Sequence, residues 1–128
     1  MKTDKFTVLD RLAEILESIN LIEEWSGFVK VTSDFMTSPH GVMAFNACVM
    51  RLQVIGEDVG KLLNDESQPL KGYDAIPWLA IYNMRNLISH EYSNIDEEIV
   101  CSVIKEDLPD LKEVIAEIYE KIKGCSIN

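Results

Sequence analysis

The segment MRNLISHEY, residues 84–92, gathers residues suited to proton transfer and anion binding near the end of an apolar stretch. Histidine titrates near neutrality, so His90 is a candidate general acid or base. Arginine stays charged and binds phosphate oxygens with a planar fork of donors, so Arg85 is a candidate anion ligand. In a regular helix Asn86 and His90 share one face, whereas Arg85 is turned about 140° from His90.

An arginine and a histidine without nearby metal ligands suit cleavage of an RNA phosphodiester. There the 2′-hydroxyl supplies the nucleophile, and the protein must provide only proton transfer and charge stabilisation. One histidine cannot easily act as acid and base on opposite sides of one phosphorus atom. A two-fold dimer that joins two copies of the segment would solve this problem, and we state that as a hypothesis.

Structural roles are the alternative for the same residues, and spacing alone favours them because short motifs often match by chance. A protonated His90 would be stabilised by the dipole at a helix C-terminus. Arg85 could pair with Glu91 or another acid, and Asn86 could bond to a nearby backbone group. Sequence spacing leaves both sets of roles open.

Other site chemistries find little support in the sequence. His40 and His90 do not form a metal-ligand pattern, and there is neither a glycine-rich phosphate loop nor a nucleophile elbow. We therefore expect no metal and no cofactor. Cys48, Cys101 and Cys125 are odd in number and far apart, which fits neither a disulfide framework nor a zinc site. Cys48 and Cys101 fall in apolar stretches and are predicted to be small buried hydrophobes.

The formal net charge is −10, and the twelve basic residues form no cluster along the chain. Acidic proteins repel nucleic acid at long range, so charge alone argues against RNA or DNA binding. No apolar run approaches the roughly 20 residues of a membrane span, and the N-terminus lacks a signal-peptide pattern. We expect a cytoplasmic protein without a membrane segment, with residues 1–128 forming one domain.

Apolar residues recur every three to four positions, which predicts an all-α helical bundle. The first helix is expected at Lys5–Trp25 and the second at Pro39–Leu63, with Ser38 as its N-cap. The connector at 28–37 is expected to pack against the core. Gly56 lies on the apolar seam of the second helix, where it permits close backbone approach. That seam consists of Val42, Phe45, Val49, Leu52, Gly56, Val59 and Leu63.

Three further helices are predicted in the second half of the chain. The third begins at Pro77, continues to Tyr92, and is expected to be interior because apolar residues surround much of it. Asp96 is placed to cap the fourth helix. Asp107 and Pro109 are expected to restart the chain into a last helix.

Residues 85–92 fit the pattern R-N-x-x-x-H-x-Y, which resembles the signature of HepT-like toxins in the HEPN superfamily. The resemblance extends to three longer segments, IPWLAIYNMRNLISHEY, SNIDEEIVCSVIKEDLPDL and AFNACVMRLQVIGEDVGKL. Together these segments cover most of residues 35–115. The combination is far more specific for the family than the short motif is.

This resemblance implies a HEPN-like up-down bundle of four to five helices that forms a homodimer, with the motif lining a cleft at the dimer interface. It implies a metal-independent endoribonuclease that is the toxin of a toxin–antitoxin pair and acts on RNA such as tRNA or mRNA, not on DNA. The implied partner is an antitoxin with a minimal nucleotidyltransferase fold. That antitoxin would transfer AMP from ATP to the motif tyrosine, here Tyr92.

Residue by residue, the resemblance implies that Arg85 stabilises the phosphate, His90 is the acid or base, and Asn86 orients the site. Glu57, in IGED, matches the acid of the family's second helix and is expected near the cleft, with helix surface charge as its alternative. An AMP group on Tyr92 would add a bulky anion two residues from His90 and repel RNA. The main competing hypothesis is a non-catalytic HEPN dimer that binds a nucleotidyltransferase or a nucleotide. A purely structural bundle is the third.

Overall fold

The computed structural model describes residues 5–86 and 95–127, and within these two ranges the chain forms helices and turns but no strand. The predicted all-α class is therefore confirmed. Of the helices in these ranges, none combines the length and apolar character that a membrane crossing needs. The α-helices are α1 (Lys5–Trp25), α2 (Pro39–Leu63), α3 (Trp78–Tyr82), α4 (Glu97–Ser102) and α5 (Leu108–Ile127). The same ranges also contain the shorter 3-10 helices Thr32–Phe35 and Asn83–Asn86 and the π-helix Val103–Asp107.

The core lies where α1 packs against both α2 and α5. Its fully buried aliphatic side chains include Leu12, Ile15, Ile19, Ile22, Leu52, Ile55, Leu62, Leu108, Leu111, Ile115 and Ile118. Burying each such side chain contributes about 1.5–3 kcal/mol, so these three helices supply much of the stability. The predicted seam of α2 is buried over its middle, whereas Val42 and Leu63 at its two ends are exposed.

Two predicted helix caps are confirmed. The Ser38 hydroxyl accepts a hydrogen bond from the Gly41 backbone N–H at 2.9 Å, so α2 begins at the predicted residue. The Asp96 carboxylate accepts from the N–H groups of Glu98 and Ile99, at 2.9 and 3.3 Å. Each bond satisfies a backbone donor that has no partner within the helix.

The prediction that Asp107 and Pro109 restart the chain into a last helix was wrong in one respect. A new α-helix does begin there, but a π-helix joins it to α4 without a break. The Leu108 N–H donates to the carbonyl of Val103, five residues back. A proline ring normally clashes with the carbonyl four residues earlier, here that of Lys105, and a wider turn relieves this conflict. The last two predicted helices thus form one continuous helical segment, 97–127.

The connector between α1 and α2 packs down only in part. Val29 and Phe35 are buried, as expected, but Phe28 and Val31 are exposed. The Lys105 ammonium donates to the Val29 carbonyl at 2.7 Å, which fastens the connector to the π-helix.

Over the described residues, the third predicted helix changes from α to 3-10 geometry and is more one-sided than expected. Its α-helical part ends at Tyr82 and continues as a 3-10 helix to Asn86, while residues 87–94 lie outside the described part of the chain. Trp78, Ile81 and Met84 are buried, whereas Leu79 is 69% exposed. The buried residues are spaced three apart, so this segment presents one apolar side to the core and leaves the other side exposed.

Candidate functional site

An open cleft lies between the C-terminal half of α2 and the segment formed by α3 and the second 3-10 helix. Its volume is about 400 Å³. It is lined by Glu57, Gly60, Lys61, Asn64, Tyr82 and Arg85. Arg85, the predicted phosphate ligand, and Glu57, the predicted acid of the second helix, therefore border one cavity.

Two glycines of α2 allow the opposite wall to come this close. A Cβ atom on Gly56 would lie 2.8 Å from the backbone nitrogen of Arg85 and 3.0 Å from the carbonyl oxygen of Ile81. A Cβ atom on Gly60 would lie 2.6 Å from Cδ1 of Tyr82. The predicted close backbone approach at Gly56 is confirmed, and Gly60 extends it one turn further.

Arg85 lies on the ring of Tyr82, with its Cζ atom 4.6 Å from the ring centroid. The arginine is exposed, and the tyrosine is half-buried. A guanidinium over an aromatic face is held by the ring quadrupole while its N–H groups stay free for other acceptors. Within the described residues, Arg85 has no carboxylate at ion-pair distance.

Lys61 and Glu57 share the α2 face that borders the cleft, since they are four residues apart. Both side chains are exposed, and among the described residues Lys61 forms no ion pair. The cleft thus has two cations against one anion, although the whole chain has a net charge of −10. The local charge favours an anionic ligand even though the overall charge does not.

Of the remaining predicted site residues, only Asn86 belongs to the described part of the chain. Asn86 is exposed at the end of the 3-10 helix and is not among the side chains that line the cleft. His90 and Tyr92 lie outside the described residues, as does Glu91, the predicted structural partner of Arg85. Their roles stay predictions.

On the other side of α2, Asp58 is buried against α1 with 3% of its surface exposed. Its Oδ1 accepts from Nη1 of Arg11 at 3.2 Å, and its Oδ2 has no hydrogen-bond partner among the described residues. Burial raises the pKa of Asp58 to about 7, the nearby Glu14 carboxylate raises it too, and Arg11 opposes both. This pair joins α1 to α2 and does not face the cleft.

Sequence reasoning missed four of these residues. Lys61 is four positions after Glu57, Gly60 is four after Gly56, and Tyr82 is three before Arg85, so helical spacing could have linked each to a predicted one. Asp58 lies three positions after the buried Ile55, which could have marked it as an acid on the inward face.

The second histidine occupies a separate apolar groove of about 580 Å³ near the start of α2. The ring of His40 lies 4.9 Å from that of Phe28, centroid to centroid. Seventeen residues of helix separate His40 from Glu57, which corresponds to about 26 Å along the axis. Among the described residues, no cluster of three or more histidine, cysteine or acidic side chains could hold a metal ion.

The cysteines behave as predicted in the core. Cys48 and Cys101 are buried, and burial raises the pKa of the Cys48 thiol to about 12. A thiol in that environment stays protonated and unreactive at neutral pH. Cys125 is exposed near the end of α5.

The described fold and cleft define an all-α, HEPN-like bundle with an exposed arginine between two helices. Residues 15–118 match the family model described as "Ribonuclease HepT-like". The chain belongs to the HepT-like ribonuclease family.

Curated relatives agree with this assignment. A protein of Methanocaldococcus jannaschii named "Gamma-glutamylcyclotransferase and putative RNase" is 35% identical over 87% of this chain and 47% of its own length. The chain therefore spans about half of that relative. A "Probable ribonuclease HepT" of Thermococcus cleftensis is 31% identical over 80% of this chain and 87% of its own length. A second M. jannaschii protein, named "Putative RNase", is 28% identical over 81% and 89% of the two lengths. No solved structure matches the chain.

Proposed function

We propose that this protein is a metal-independent endoribonuclease and the toxin of a toxin–antitoxin pair. It acts as a homodimer, and a partner antitoxin with a minimal nucleotidyltransferase fold silences it by transferring AMP to Tyr92. The family's description as a ribonuclease supports the activity class. The toxin role, the dimer and the control by AMP follow from the sequence resemblance.

The observation that supports this proposal best is the state of Arg85. Its guanidinium is exposed in a cleft beside Lys61 and has no carboxylate partner among the described residues. Arg11 and Arg51, by contrast, each bond to another side chain of the fold: Arg11 donates to the Asp58 carboxylate and Arg51 to the Ser18 hydroxyl, both at 3.2 Å. A free planar fork of donors suits a phosphate group.

In the proposed reaction, a neutral His90 takes the proton of the RNA 2′-hydroxyl. The 2′-oxygen forms a bond to phosphorus, the bond from phosphorus to the 5′-oxygen breaks, and Arg85 stabilises the charge on the phosphoryl oxygens. The protonated histidine of the second copy gives its proton to the departing 5′-oxygen. The products are a 2′,3′-cyclic phosphate and a 5′-hydroxyl, and no metal is required.

The first test is RNA cleavage by the purified protein in EDTA, together with growth arrest when the chain is expressed alone. His90→Ala should abolish both, because the proton transfers lose their donor and acceptor. His40→Ala is the matched control, since His40 is the other histidine and lies in a separate groove. A wild type that is harmless and leaves total RNA and tRNA intact would refute the proposal.

The second test concerns Tyr92. The phenol oxygen would attack the α-phosphate of ATP and release pyrophosphate, leaving AMP on the tyrosine. With a nucleotidyltransferase partner and labelled ATP, Tyr92→Phe should incorporate no label while remaining able to cleave RNA. Label that persists on the phenylalanine variant would assign the modification to another residue.

The net charge of −10 favours a second candidate, a non-catalytic dimer that binds the nucleotidyltransferase or a nucleotide. An acidic surface weakens non-specific RNA binding but does not hinder protein docking. Under this alternative, His90→Ala leaves RNA unchanged in every sample and weakens the complex with the nucleotidyltransferase.

A further inference from the structure

Tyr82 and Arg85 form a stack that depends on the local backbone. They are three residues apart and lie across the start of the second 3-10 helix, Asn83–Asn86. In a 3-10 helix, side chains at positions i and i+3 eclipse, whereas in an α-helix they are rotated by about 60°. The tighter turn therefore brings the guanidinium over the ring, at 4.6 Å from Cζ to centroid.

The ring itself is held by the facing helix. Gly60 leaves no side chain where the ring edge lies, since a Cβ atom there would approach Cδ1 of Tyr82 to 2.6 Å. Gly56, one turn earlier, admits the backbone of the same segment. Tyr82 is thus confined between α2 on one side and Arg85 on the other.

The guanidinium is consequently oriented by a rigid surface, although it has no ion-pair partner among the described residues. A free arginine samples many rotamers and must lose that freedom when it binds a ligand. Stacking on a fixed ring removes part of this cost before binding. The stacked side chain borders the cleft that also contains Glu57 and Lys61.

We propose that Tyr82 is a positioning residue, which holds the Arg85 guanidinium on its ring so that the N–H fork faces an RNA phosphate in the cleft. This role rests on the proposed ribonuclease function. Nothing in it requires Tyr82 to touch the RNA. Its effect should therefore depend on Arg85 and on the aromatic face, and not on the tyrosine hydroxyl.

The test compares RNA cleavage, and binding of a 2′-O-methyl RNA oligonucleotide that cannot be cleaved, across variants of the full chain. Tyr82→Leu should weaken both by about fivefold, the scale of a partly exposed cation–π contact. Tyr82→Phe keeps the ring and should restore wild-type values. Tyr82→Met also lacks an aromatic face and replaces the leucine variant if that variant does not fold.

Two controls separate positioning from general structural damage. Tyr119→Leu removes a matched tyrosine, which lies 5.7 Å from the Lys123 ammonium on α5, away from the cleft, and should leave both RNA readouts unchanged. In an Arg85→Ala background, Tyr82→Leu should cause no further loss, because the ring acts through the arginine. The Arg85 side-chain NMR signals should show a ring-current shift that the leucine variant loses and the phenylalanine variant keeps.

Several results would overturn the proposal in distinguishable ways. If the wild type cleaves RNA and Tyr82→Leu cleaves it equally well, the positioning role fails while the proposed function stands. If Tyr82→Leu still costs activity in the Arg85→Ala background, the tyrosine acts independently of Arg85. If the wild type neither binds nor cleaves RNA, the proposed function fails and the positioning role fails with it.

Discussion

Glu57 and Asp58 are neighbours in the sequence but belong to opposite environments of α2. Glu57 is exposed and borders the cleft with Arg85, whereas Asp58 is 3% exposed and accepts a hydrogen bond from Arg11. One step along a helix turns a side chain by about 100°, which is enough to move it from solvent to an interface. Two similar acids thus have different roles, and the packing of neighbouring helices decides which.

Two of the three arginines, Arg11 and Arg85, show the same contrast. Arg11 is paired with a buried carboxylate and joins α1 to α2, whereas Arg85 lies on an aromatic ring and has no carboxylate partner among the described residues. Changes around Arg11 should therefore alter stability, and changes around Arg85 should alter RNA cleavage. Substitutions of Asp58, Arg11 and Lys61 test the two sides of this division.

Among the predicted changes in stability, the largest is the pH dependence that the Asp58 carboxyl group gives to the unfolding free energy. Because its pKa is raised from 3.8 to about 7 in the folded state, the folded protein binds this proton more tightly than the unfolded chain does. The stabilisation is fully present below pH 3.8 and is lost as pH rises through about 7. Relative to Asp58→Asn, the wild type should lose up to about 4 kcal/mol of unfolding free energy across that window.

Denaturant unfolding of both proteins at several pH values measures this difference, and titrating groups remote from Asp58 cancel in the comparison. RNA cleavage at pH 7 should be similar in the two. A constant stability difference from pH 4 to pH 8 would contradict the assigned environment of Asp58.

Arg11→Ala should destabilise the protein by about 2 kcal/mol, because it leaves a buried carboxylate without its partner. Thermal or denaturant unfolding measures the loss. The rate of RNA cleavage per folded molecule should not change. If Arg11→Ala left the stability unchanged but impaired RNA cleavage, Arg11 would serve the cleft and not the contact between α1 and α2.

Lys61→Ala should lower kcat/KM for RNA cleavage about tenfold, which corresponds to about 1.4 kcal/mol of lost transition-state stabilisation. The melting temperature should stay close to that of the wild type, because the side chain is exposed and forms no ion pair among the described residues. Lys121→Ala, an exposed lysine on α5, is the control of equal charge change. Equal losses in both variants would mean that total charge, rather than the cleft, determines RNA binding.

The smallest change in stability is expected at Asp96. This acid is neither at the cleft, as Glu57 is, nor buried, as Asp58 is, but caps α4. Asp96→Ala removes two hydrogen bonds to the backbone at the start of α4 and should cost about 1 kcal/mol of unfolding free energy. The matched variant Glu98→Ala, in the same first turn, should cost less because its side chain caps nothing. Equal costs would indicate that charge near the helix dipole, and not capping, is what matters.

Most of the helical framework could be predicted because local signals determine it. Apolar periodicity and the Ser38 cap define α1 and α2, and both helices have the predicted bounds. The change from α to 3-10 geometry after Tyr82 could not be predicted, because it occurs where the segment approaches Gly56 and Gly60 of another helix. The π-helix before Pro109 could not be predicted either, because a proline normally marks the first turn of a new helix.

The candidate site was predictable in part. Arg85 and Glu57 came from the motif and the family resemblance, and they do border one cleft. Tyr82 was not among the predicted site residues, because its contact with Arg85 depends on 3-10 geometry. The inward orientation of Asp58 depends on where α1 packs. Residues that act through tertiary contacts are those that sequence spacing reveals least.

The most direct test of the account is RNA cleavage by Arg85→Ala beside Arg11→Ala, in EDTA and at equal concentrations of folded protein. We predict that Arg85→Ala loses about 100- to 1000-fold in rate, the scale of removing one donor that stabilises a developing oxyanion, at an unchanged melting temperature. Arg11→Ala should cleave RNA at the wild-type rate but should have a lower melting temperature. Full cleavage activity in Arg85→Ala, or a loss explained by unfolding, would contradict the claim that this arginine serves a phosphate ligand.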